Sequence, residues 1–390
     1  MSLLNPFPAF LLIAVAILFI YMLSLWDRRD KSQAGRFASI DGLRGYLAFS
    51  VFIHHASIWF NYARFGTWEV PQSNLYTQLG ESSVSLFFMI TSFLFYNKLL
   101  DSRGRTFDWT AFFVGRFFRL TPLYLLAMCA LFAIVGILSN GVLVDSTAYI
   151  FKCMLEWLTF TVVNNPDINH VQTRVIVAGV TWSLPYEWIF YFALPLLGLF
   201  AGHRVRLPLI LLGFAALSVG AMTHLALHML FVFASGAIAA VAVRNDHFRN
   251  FAKTKSASIV VLMASVSMTA FPTAYGLPQL LPLTLAFCLI ACGCSVFGCL
   301  THQLSRRLGD LAYSIYLLHG IVLFVALHFI VGRALVAAIS PFQYWMVIAA
   351  LVPVLITCAT LTFRYIEQPG INMTRIVLAK RKRAESPVTV

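Results

Sequence analysis

Apolar residues occur along this chain in eleven long runs, and polar residues separate each run from the next. A helix of about 20 apolar residues crosses the roughly 30 Å hydrocarbon core of a bilayer. The pattern therefore predicts an all-α polytopic membrane protein with about eleven transmembrane helices. The predicted spans are 7–26, 44–62, 82–99, 118–138, 182–201, 207–222, 225–243, 257–275, 278–300, 309–333 and 342–364.

A further apolar stretch, 149–163, is shorter, and Lys152 and Glu156 interrupt it at helical spacing. Charged residues on one face of so short a helix are typical of a segment that lies at the membrane surface or re-enters it. We therefore predict an interfacial or re-entrant helix here, within 139–181, the longest stretch between spans.

The composition also indicates a membrane environment. Hydrophobic residues make up 60% of the 390 positions and charged residues 11%, whereas soluble domains carry about 25% charged residues. The seven cysteines lie in apolar runs without CxxC spacing, so the sequence predicts neither a disulfide framework nor a zinc site. We expect no metal.

The basic residues give the spans a direction. If the first helix runs from outside to inside, 24 of the 28 lysines and arginines fall on one side, and only Arg64, Lys152, Arg174 and Arg333 on the other. Because cytoplasmic loops carry an excess of Lys and Arg, this division predicts an extracytoplasmic N-terminus and a cytoplasmic C-terminus. The formal charge of +13 then reflects topology, and no nucleic-acid partner is expected.

The first run, 7–26, precedes its charged cluster, which begins at Asp27. A secretory signal peptide has its positive charges before the apolar core. We therefore predict a retained spanning helix.

The second run contains the most unusual polar residues. Arg44 and His55 are eleven residues apart, which in a helix gives a net rotation of about 20° and a rise of about 16 Å. The two side chains thus share one stripe, whereas His54 is rotated by about 80° from it. A charged residue at the bilayer centre costs roughly 3 kcal/mol on insertion scales, so such residues usually face a protein interior and serve function. The alternatives are an Arg44 that reaches the interface beside Asp41 and a His55 satisfied by an interhelical hydrogen bond.

Other spans also contain polar residues. Arg116 and Arg119 share a helix face at i,i+3 spacing and would form a clamp for phosphates, or simply supply cytoplasmic charge. Glu187 lies in the fifth span and needs a partner in lipid, which a structural ion pair would also provide. Ser314, Tyr316 and His319 lie in the tenth span, and Arg364 and Glu367 are spaced as an i,i+3 ion pair before Pro369.

Several common motifs are absent from the sequence. It contains no Walker A loop, no HExxH, no GxSxG and no Rossmann glycine fingerprint, so ATP-driven transport, zinc hydrolysis and α/β-hydrolase chemistry lack their usual signatures. A secondary transporter or flippase for a glycan or small anionic solute stays an alternative, because buried His, Arg and Glu would serve it too. The chain shows no internal repeat of the kind such transporters often have.

Six stretches, taken in order, resemble the acyltransferase-3 family of bacterial integral-membrane acyltransferases, the type that O-acetylates O-antigen, exopolysaccharide and Nod-factor sugars. They are IDGLRG with the histidine eleven residues after its arginine (Arg44, His55), SVSLFFMITSFL (83–94), RFFR (116–119), WSLPYEWIFY (182–191), LAYSIYLLHG (311–320) and FRYIEQP (363–369). The resemblance runs from about Ser39 to Pro369.

The chain departs from the family pattern at two places. It has Thr91-Ser92 where the family usually has Ser-Gly, a pair that allows close helix packing, and its first helix is an addition to a ten-helix core. The resemblance thus implies three segments: an extra N-terminal helix and cytoplasmic loop (1–36), a membrane acyltransferase domain (37–370) and a basic cytoplasmic tail (371–390).

The resemblance implies a membrane O-acyltransferase of the bacterial inner membrane. It would move an acyl group, usually acetyl, from cytoplasmic acetyl-CoA to a hydroxyl of a cell-surface saccharide or lipid-linked glycan. Membrane lipids would be its other contacts. The expected catalytic residues are His55, Arg44, Glu187 and His319, the expected coenzyme A contacts are Arg116 and Arg119, and the expected acceptor contacts are Trp182, Ser183 and Tyr191.

In this hypothesis His55 is a general base on the acceptor hydroxyl or a transient acyl carrier. Arg44 stabilises the thioester oxyanion or positions the phosphopantetheine arm, and Glu187 orients a histidine or binds the acceptor. The loops 62–81 and 139–181 offer further sugar contacts: Trp68, Asn164, Asn165, Asp167 and His170.

Overall fold

A computed structural model describes residues 5–26, 37–70, 72–223 and 226–385, and these ranges are mostly helical. The helices are α1 (Phe7–Trp26), α2 (Ala38–Phe65), α3 (Asn74–Asp101), α4 (Trp109–Leu138), α5 (Thr147–Leu158), α6 (Thr173–Ile176), α7 (Ser183–Phe200), α8 (Leu207–Thr223), α9 (Leu227–Ala242), α10 (Asp246–Ala252), α11 (Lys255–Met268), α12 (Leu277–Ala291), α13 (Gln303–Asp310), α14 (Ala312–Phe324), α15 (Arg333–Ala338), α16 (Pro341–Thr362) and α17 (Gln368–Glu385). A π-helical turn, Phe363–Glu367, joins α16 to α17. Another, Val325–Ile330, continues α14.

Each predicted span contains a helix, but the helices differ in their ability to cross a bilayer alone. Within the described ranges, six segments are long and apolar enough: Phe7–Leu25, Asn74–Asp101, Trp109–Leu138, Val180–Phe200, Ala312–Ile330 and Pro341–Arg381. A seventh is obtained if α9 and α10, which meet at 103°, form one broken span. The all-helical membrane architecture is confirmed, and the number eleven stays a prediction.

Three of the remaining apolar helices are short. α8, α11 and α12 have 17, 14 and 15 residues, so at 1.5 Å per residue they are about 21–26 Å long. These lengths fall below the roughly 30 Å of a typical hydrocarbon core. Such helices span only where the bilayer thins or their ends extend as irregular backbone shielded by protein.

α2 is long enough to span a bilayer, but it contains too many polar residues to be recognised as a span from its mean hydropathy. It has 28 residues, and Asp41, Arg44, His54 and His55 lie among them. Eighteen of the 28 are buried, so other helices surround it on most sides. Its polar side chains therefore face protein, as the sequence argument required.

α2 is held against α13 at very short range. A Cβ atom on Gly45 would lie 2.5 Å from the backbone carbonyl carbon of Leu308, and one on Gly309 would lie 1.8 Å from the carbonyl oxygen of Asp41. No side chain fits at these distances, so both positions require glycine. This contact fixes α2 close to the start of α14, the helix that carries His319.

α3 and α9 also approach closely, at the place where the chain departs from the family pattern. A Cβ atom on Gly236 of α9 would lie 2.3 Å from the carbonyl oxygen of Met89 and 2.7 Å from Cβ of Ser92. The close packing that a glycine after Thr91 would allow is therefore provided by a glycine on the partner helix.

α17 continues beyond the apolar part of α16 and packs along α4. Arg381 Nη1 lies 3.0 Å from Asp108 Oδ1, next to the first turn of α4. The described part of the segment predicted as a basic tail, 371–385, is thus helical. Its contact with α4 supports the part of that helix that carries Arg116 and Arg119.

The long connection between α4 and α7 is tied down by side-chain hydrogen bonds. Trp157 of α5 donates to the carbonyl oxygen of Pro166 at 2.8 Å, and Thr173 Oγ1 donates to the same oxygen at 2.9 Å. Asp167 Oδ1 accepts from the backbone N–H of Thr173 at 3.1 Å. With 12 residues, α5 is about 18 Å long and too short to cross a bilayer. This agrees with the short helix predicted there.

Candidate active site

A cavity of about 200 Å³ lies between α2, α3, α4, α7 and α14. A single water needs about 15 Å³ on this measure, so the cavity has room for a chain of many atoms. Six of the residues predicted from the sequence line it: Arg44, Arg116, Arg119, Ser183, Glu187 and Tyr191. The other three, His55, His319 and Trp182, lie outside this lining.

Three arginines form one end of the cavity. Arg119 is close enough to Arg44 and Arg116 for their charges to interact, and the Arg116 guanidinium carbon lies 4.9 Å from the Phe95 ring centroid. Within the described ranges, none of the three forms an ion pair with a carboxylate. Three guanidinium groups without a carboxylate partner, in a partly enclosed space, make a site for an anion. Their fork geometry matches phosphate oxygens.

Glu367 is the buried acidic residue near this end. It is 2% exposed and accepts a hydrogen bond from Ser314 Oγ, and it interacts at longer range with Arg119 and Arg44. The sequence suggested a pair between Glu367 and Arg364, but the π-helical turn changes the register of their side chains. Glu367 therefore turns inward to α14 and offsets part of the arginine charge.

Glu187 and Tyr191 of α7 are joined by a hydrogen bond. Tyr191 is fully buried and donates its hydroxyl hydrogen bond to Glu187, one turn earlier. The Tyr191 hydroxyl is also within interaction distance of Arg116. Glu187 was expected to orient a histidine or to bind the acceptor. Its side-chain partner in this structure is a tyrosine.

Two hydroxyl groups mark the other end of the cavity. Ser183 Oγ and Tyr316 Oη lie 2.8 Å apart, and Tyr316 also donates to the carbonyl oxygen of Val180 at 3.1 Å. Ser183 precedes Tyr191 by two turns of α7, so about 12 Å separates this end from the arginines. Tyr316 lies next to the histidines, because its ring centroid is 6.2 Å from that of His319.

The two predicted histidines contact each other. His319 Nε2 lies 3.0 Å from His55 Nδ1, and the ring centroids are 5.0 Å apart. His319 is fully buried, whereas His55 is only partly buried. Two helices far apart in the sequence therefore bring together two histidines that the sequence placed in separate spans.

The backbone determines where the protons of this pair lie. His319 Nδ1 is 3.0 Å from the carbonyl oxygen of Ile315, and His55 Nδ1 is 3.0 Å from that of Val51. A carbonyl oxygen only accepts, so each Nδ1 carries the hydrogen in the neutral ring. His319 Nε2 then accepts from His55 Nδ1–H, and His55 Nε2 keeps a lone pair with no hydrogen-bond partner among the described residues.

His54 packs between α2 and α3 and is separate from the contact between His55 and His319. It is 7% exposed, and its Nδ1 lies 2.7 Å from the carbonyl oxygen of Tyr76 in α3. Its ring fills the space over Gly80, where a Cβ atom would come within 2.6 Å of it. This agrees with the rotation of His54 away from the stripe of Arg44 and His55.

The remaining predicted contacts are dispersed. Trp182 packs on Tyr186 and Phe88, with ring centroids 5.7 and 6.2 Å away, beside the cavity. Trp68 packs on Trp59 and Tyr62, and His170 Nε2 lies 3.3 Å from Asp145 Oδ1. Asp167 supports the loop, as described above, and Asn164 accepts from the backbone N–H of Asn165.

Tyr316 and Glu367 are site residues that the sequence argument did not select. Tyr316 was noted on the same helix as His319, and its i,i+3 spacing from that histidine was the available signal. Glu367 had been explained by a local ion pair. No group of three metal-ligating side chains occurs in the part of the chain that the structure describes.

The fold and the site define a membrane-embedded helical protein with an internal chamber, cationic at one end and next to a histidine pair at the other. The family model described as an acyltransferase domain matches residues 37–364. The chain belongs to the acyltransferase-3 family and is a membrane acyltransferase. Comparison with curated proteins gave no match, and comparison with solved structures gave none either.

Proposed function

We propose that this protein transfers an acyl group, in the first place acetyl, from cytoplasmic acyl-CoA to a hydroxyl of an extracytoplasmic saccharide or glycolipid. The observation that carries the proposal is the cavity itself. It begins at three arginines without carboxylate partners, ends at the hydroxyl groups of Ser183 and Tyr316, and lies next to the His55–His319 pair.

The proposed orientation follows from the charge distribution. Arg44, Arg116 and Arg119 belong to the side that holds 24 of the 28 basic residues, which the positive-inside rule makes cytoplasmic. Coenzyme A is a cytoplasmic molecule with several phosphates, so its phosphates and the arginines would lie on the same side. In this arrangement the chain has eleven spans in the inner membrane, with the N-terminus outside and the C-terminus inside.

The proposed chemistry uses the free lone pair of His55. Nε2 takes the proton of the acceptor hydroxyl while the hydroxyl oxygen attacks the thioester carbonyl carbon. The C–S bond breaks, an ester forms, and the thiolate leaves with the proton that His55 returns. General-base catalysis of this kind contributes typically 10²–10⁴-fold. His319 would act through His55, because its Nε2 accepts the Nδ1–H of the imidazolium formed during the step.

The length of α2 favours one of the two roles considered for Arg44. Eleven residues separate Arg44 from His55, a rise of about 16 Å. A thioester carbonyl at His55 is therefore beyond the reach of the Arg44 guanidinium. We assign Arg44 to the phosphates or the phosphopantetheine arm, and the Ser183–Tyr316 hydroxyl pair lies nearer to the proposed reaction centre.

The central test is purified protein in nanodiscs with acetyl-CoA and saccharide acceptors, comparing wild type, His55→Ala and the exposed-histidine control His247→Ala. We expect thioester consumption by wild type and by the His247 variant. In His55→Ala we expect a loss of at least about 100-fold, as for removal of a general base. Equal consumption by all three would remove His55 from the mechanism.

The same preparation separates the two roles of His55 and the transporter alternative. Labelled acetyl that stays on the protein when no acceptor is present, and is absent in His55→Ala, would identify an acyl carrier. Absence of label in an active enzyme supports the general base. Accumulation of solute in vesicles without acetyl-CoA, with no thioester consumed, would favour a transporter and contradict the proposal.

A further inference from the structure

Lys98 lies at the arginine end of the cavity, in line with residues that line it. Thr91, Leu94 and Phe95 of α3 all line the cavity, and Lys98 follows Leu94 and Phe95 by four and three residues. Residues so spaced share one helix face. Lys98 is therefore on the cavity face, one turn beyond the lining and exposed.

The α3–α4 hairpin sets the order of the cations. Phe95 lies under the Arg116 guanidinium, 4.9 Å from its central carbon. Lys98 lies one turn closer to the hairpin loop, with Nζ 5.5 Å from the Phe107 ring centroid. Lys98 and Arg116 are also close enough for their charges to interact. Of the cations on α3 and α4 themselves, Lys98 thus lies nearest to the hairpin loop, followed by Arg116 and Arg119.

The carboxylate whose charge acts on Lys98, that of Asp108, is already engaged elsewhere. Asp108 accepts from the backbone N–H of Ala111 at 2.9 Å and pairs with Arg381 at 3.0 Å. Lys98 forms no ion pair with any residue in the described ranges. An ammonium group beside a second cation, without a carboxylate of its own, is suited to an anion that comes from outside the protein.

We propose that Lys98, together with Arg116, forms a subsite for the ribose 3′-phosphate of acyl-CoA at the mouth of the cavity. The inference rests on the proposed function. In acyl-CoA the thioester is at one end of the pantetheine arm, and the pyrophosphate and the 3′-phosphate follow towards the other end. With the thioester directed to the histidines, Lys98 lies farther out than Arg116 and Arg119 and meets the outermost phosphate.

The 3′-phosphate and the Lys98 ammonium group also match in charge and shape. A phosphate monoester carries a charge of about −1.5 to −2 near pH 7, more than either phosphate of the pyrophosphate bridge. A lysine provides a compact charge on a flexible stem, whereas the inner arginines offer fixed forks. Lys98 would therefore recognise the 3′-phosphate by charge, and the arginines would hold the bridging phosphates by geometry.

The test compares acetyl-CoA with acetyl-dephospho-CoA, which lacks only the 3′-phosphate. Wild type, Lys98→Gln and Lys98→Arg are assayed for thioester consumption in nanodiscs, and binding of CoA and dephospho-CoA is measured by calorimetry. Lys255→Gln, an exposed lysine at the start of α11 on the same predicted side, is the matched control.

We expect wild type to bind CoA about tenfold more tightly than dephospho-CoA, the factor of one charge-assisted hydrogen bond at an exposed site. Lys98→Gln should lose this discrimination by weakening CoA binding alone, Lys98→Arg should keep most of it, and Lys255→Gln should behave as wild type.

Two results would overturn the inference while the proposed function stands: a wild type that turns over both donors with equal KM, or a Lys98→Gln variant that weakens both donors equally. A wild type that neither binds nor consumes acetyl-CoA would overturn the proposed function, and this inference with it.

Discussion

The histidine pair combines a contact between distant helices with hydrogen bonds inside each helix. His55 and His319 are 264 residues apart, and each Nδ1–H is turned towards a carbonyl oxygen four residues earlier in its own helix. These two carbonyls place the hydrogen of each neutral ring on Nδ1. The contact between the rings occupies His319 Nε2, so the lone pair of His55 Nε2 has no hydrogen-bond partner among the described residues. We infer that His319 positions His55 and does not itself touch the substrate.

Replacement of His319 by Phe should lower kcat by roughly tenfold to a hundredfold, less than removal of the base itself, with an unchanged KM for acetyl-CoA. The reason is that His55 Nδ1–H loses His319 Nε2 as an acceptor and keeps only the carbonyl oxygen of Val51. His319→Gln, whose side-chain oxygen can accept in a similar place, should recover part of the rate. The measurement is steady-state thioester consumption, and a variant that changes KM but not kcat would contradict a positioning role.

The sequence allowed residues of the candidate site to be selected, but not their contacts with one another to be predicted. The spacing of Arg44 and His55 was enough to place them on one face of α2, because helical geometry fixes that relation. That six of the nine predicted residues line one cavity could not be predicted in this way, because it depends on how five helices pack. Glu367 was misjudged for the same reason, as a π-helical turn cannot be read from residue spacing.

At the scale of elements, two close helix contacts determine the geometry of the site. Gly45 brings α2 against α13, and Gly236 brings α9 against α3. The second contact could not be predicted from the chain, because the glycine lies on the helix opposite to the one where the family pattern has it. What matters physically is the space between two backbones, and either helix can provide it.

Gly45→Ala should lower the thermal stability of the protein, because its Cβ would lie 2.5 Å from the Leu308 backbone and overpacking typically costs about 1–3 kcal/mol. Gly136→Ala is the matched control, since a Cβ on that helical glycine meets nothing within 4 Å. It should be neutral or stabilising, as alanine is favoured over glycine in helices. Thermal unfolding in detergent measures both, and equal melting temperatures would refute the packing argument.

At the scale of the whole molecule, the sequence and the structure give different numbers for the spans. Hydrophobic runs and the charge division predict eleven, whereas six segments of the described residues are long and apolar enough to cross a bilayer. The difference comes from α2, which is too polar, from α8, α11 and α12, which are short, and from α9 and α10, which meet at a bend. The fold class and the positions of the helices were predictable because they follow from the apolar runs. The number of membrane crossings depends in addition on what surrounds each helix.

Reporter fusions can decide the number of spans. With eleven, alkaline phosphatase should be active when fused within 139–146 or 269–276 and inactive within 201–206 or 243–254, because these connections alternate sides. A fluorescent protein at the C-terminus should mature, as expected for a cytoplasmic tail. If α8, α11 or α12 failed to cross, the reporters beyond it would exchange sides, and the charge division of 24 to 4 would lose its explanation.

The polarity of α2 has a consequence for biogenesis. A segment with Asp41, Arg44 and two adjacent histidines enters lipid unfavourably by itself, since each charged residue near the centre of the bilayer costs roughly 3 kcal/mol on insertion scales. α3 follows within ten residues and can shield one face early, whereas α13 and α14 are synthesised some 250 residues later. In the proposed mechanism the reaction takes place beside α2, so this helix is expected to reach its final position late. The histidine pair can form only when nearly the whole chain has been made.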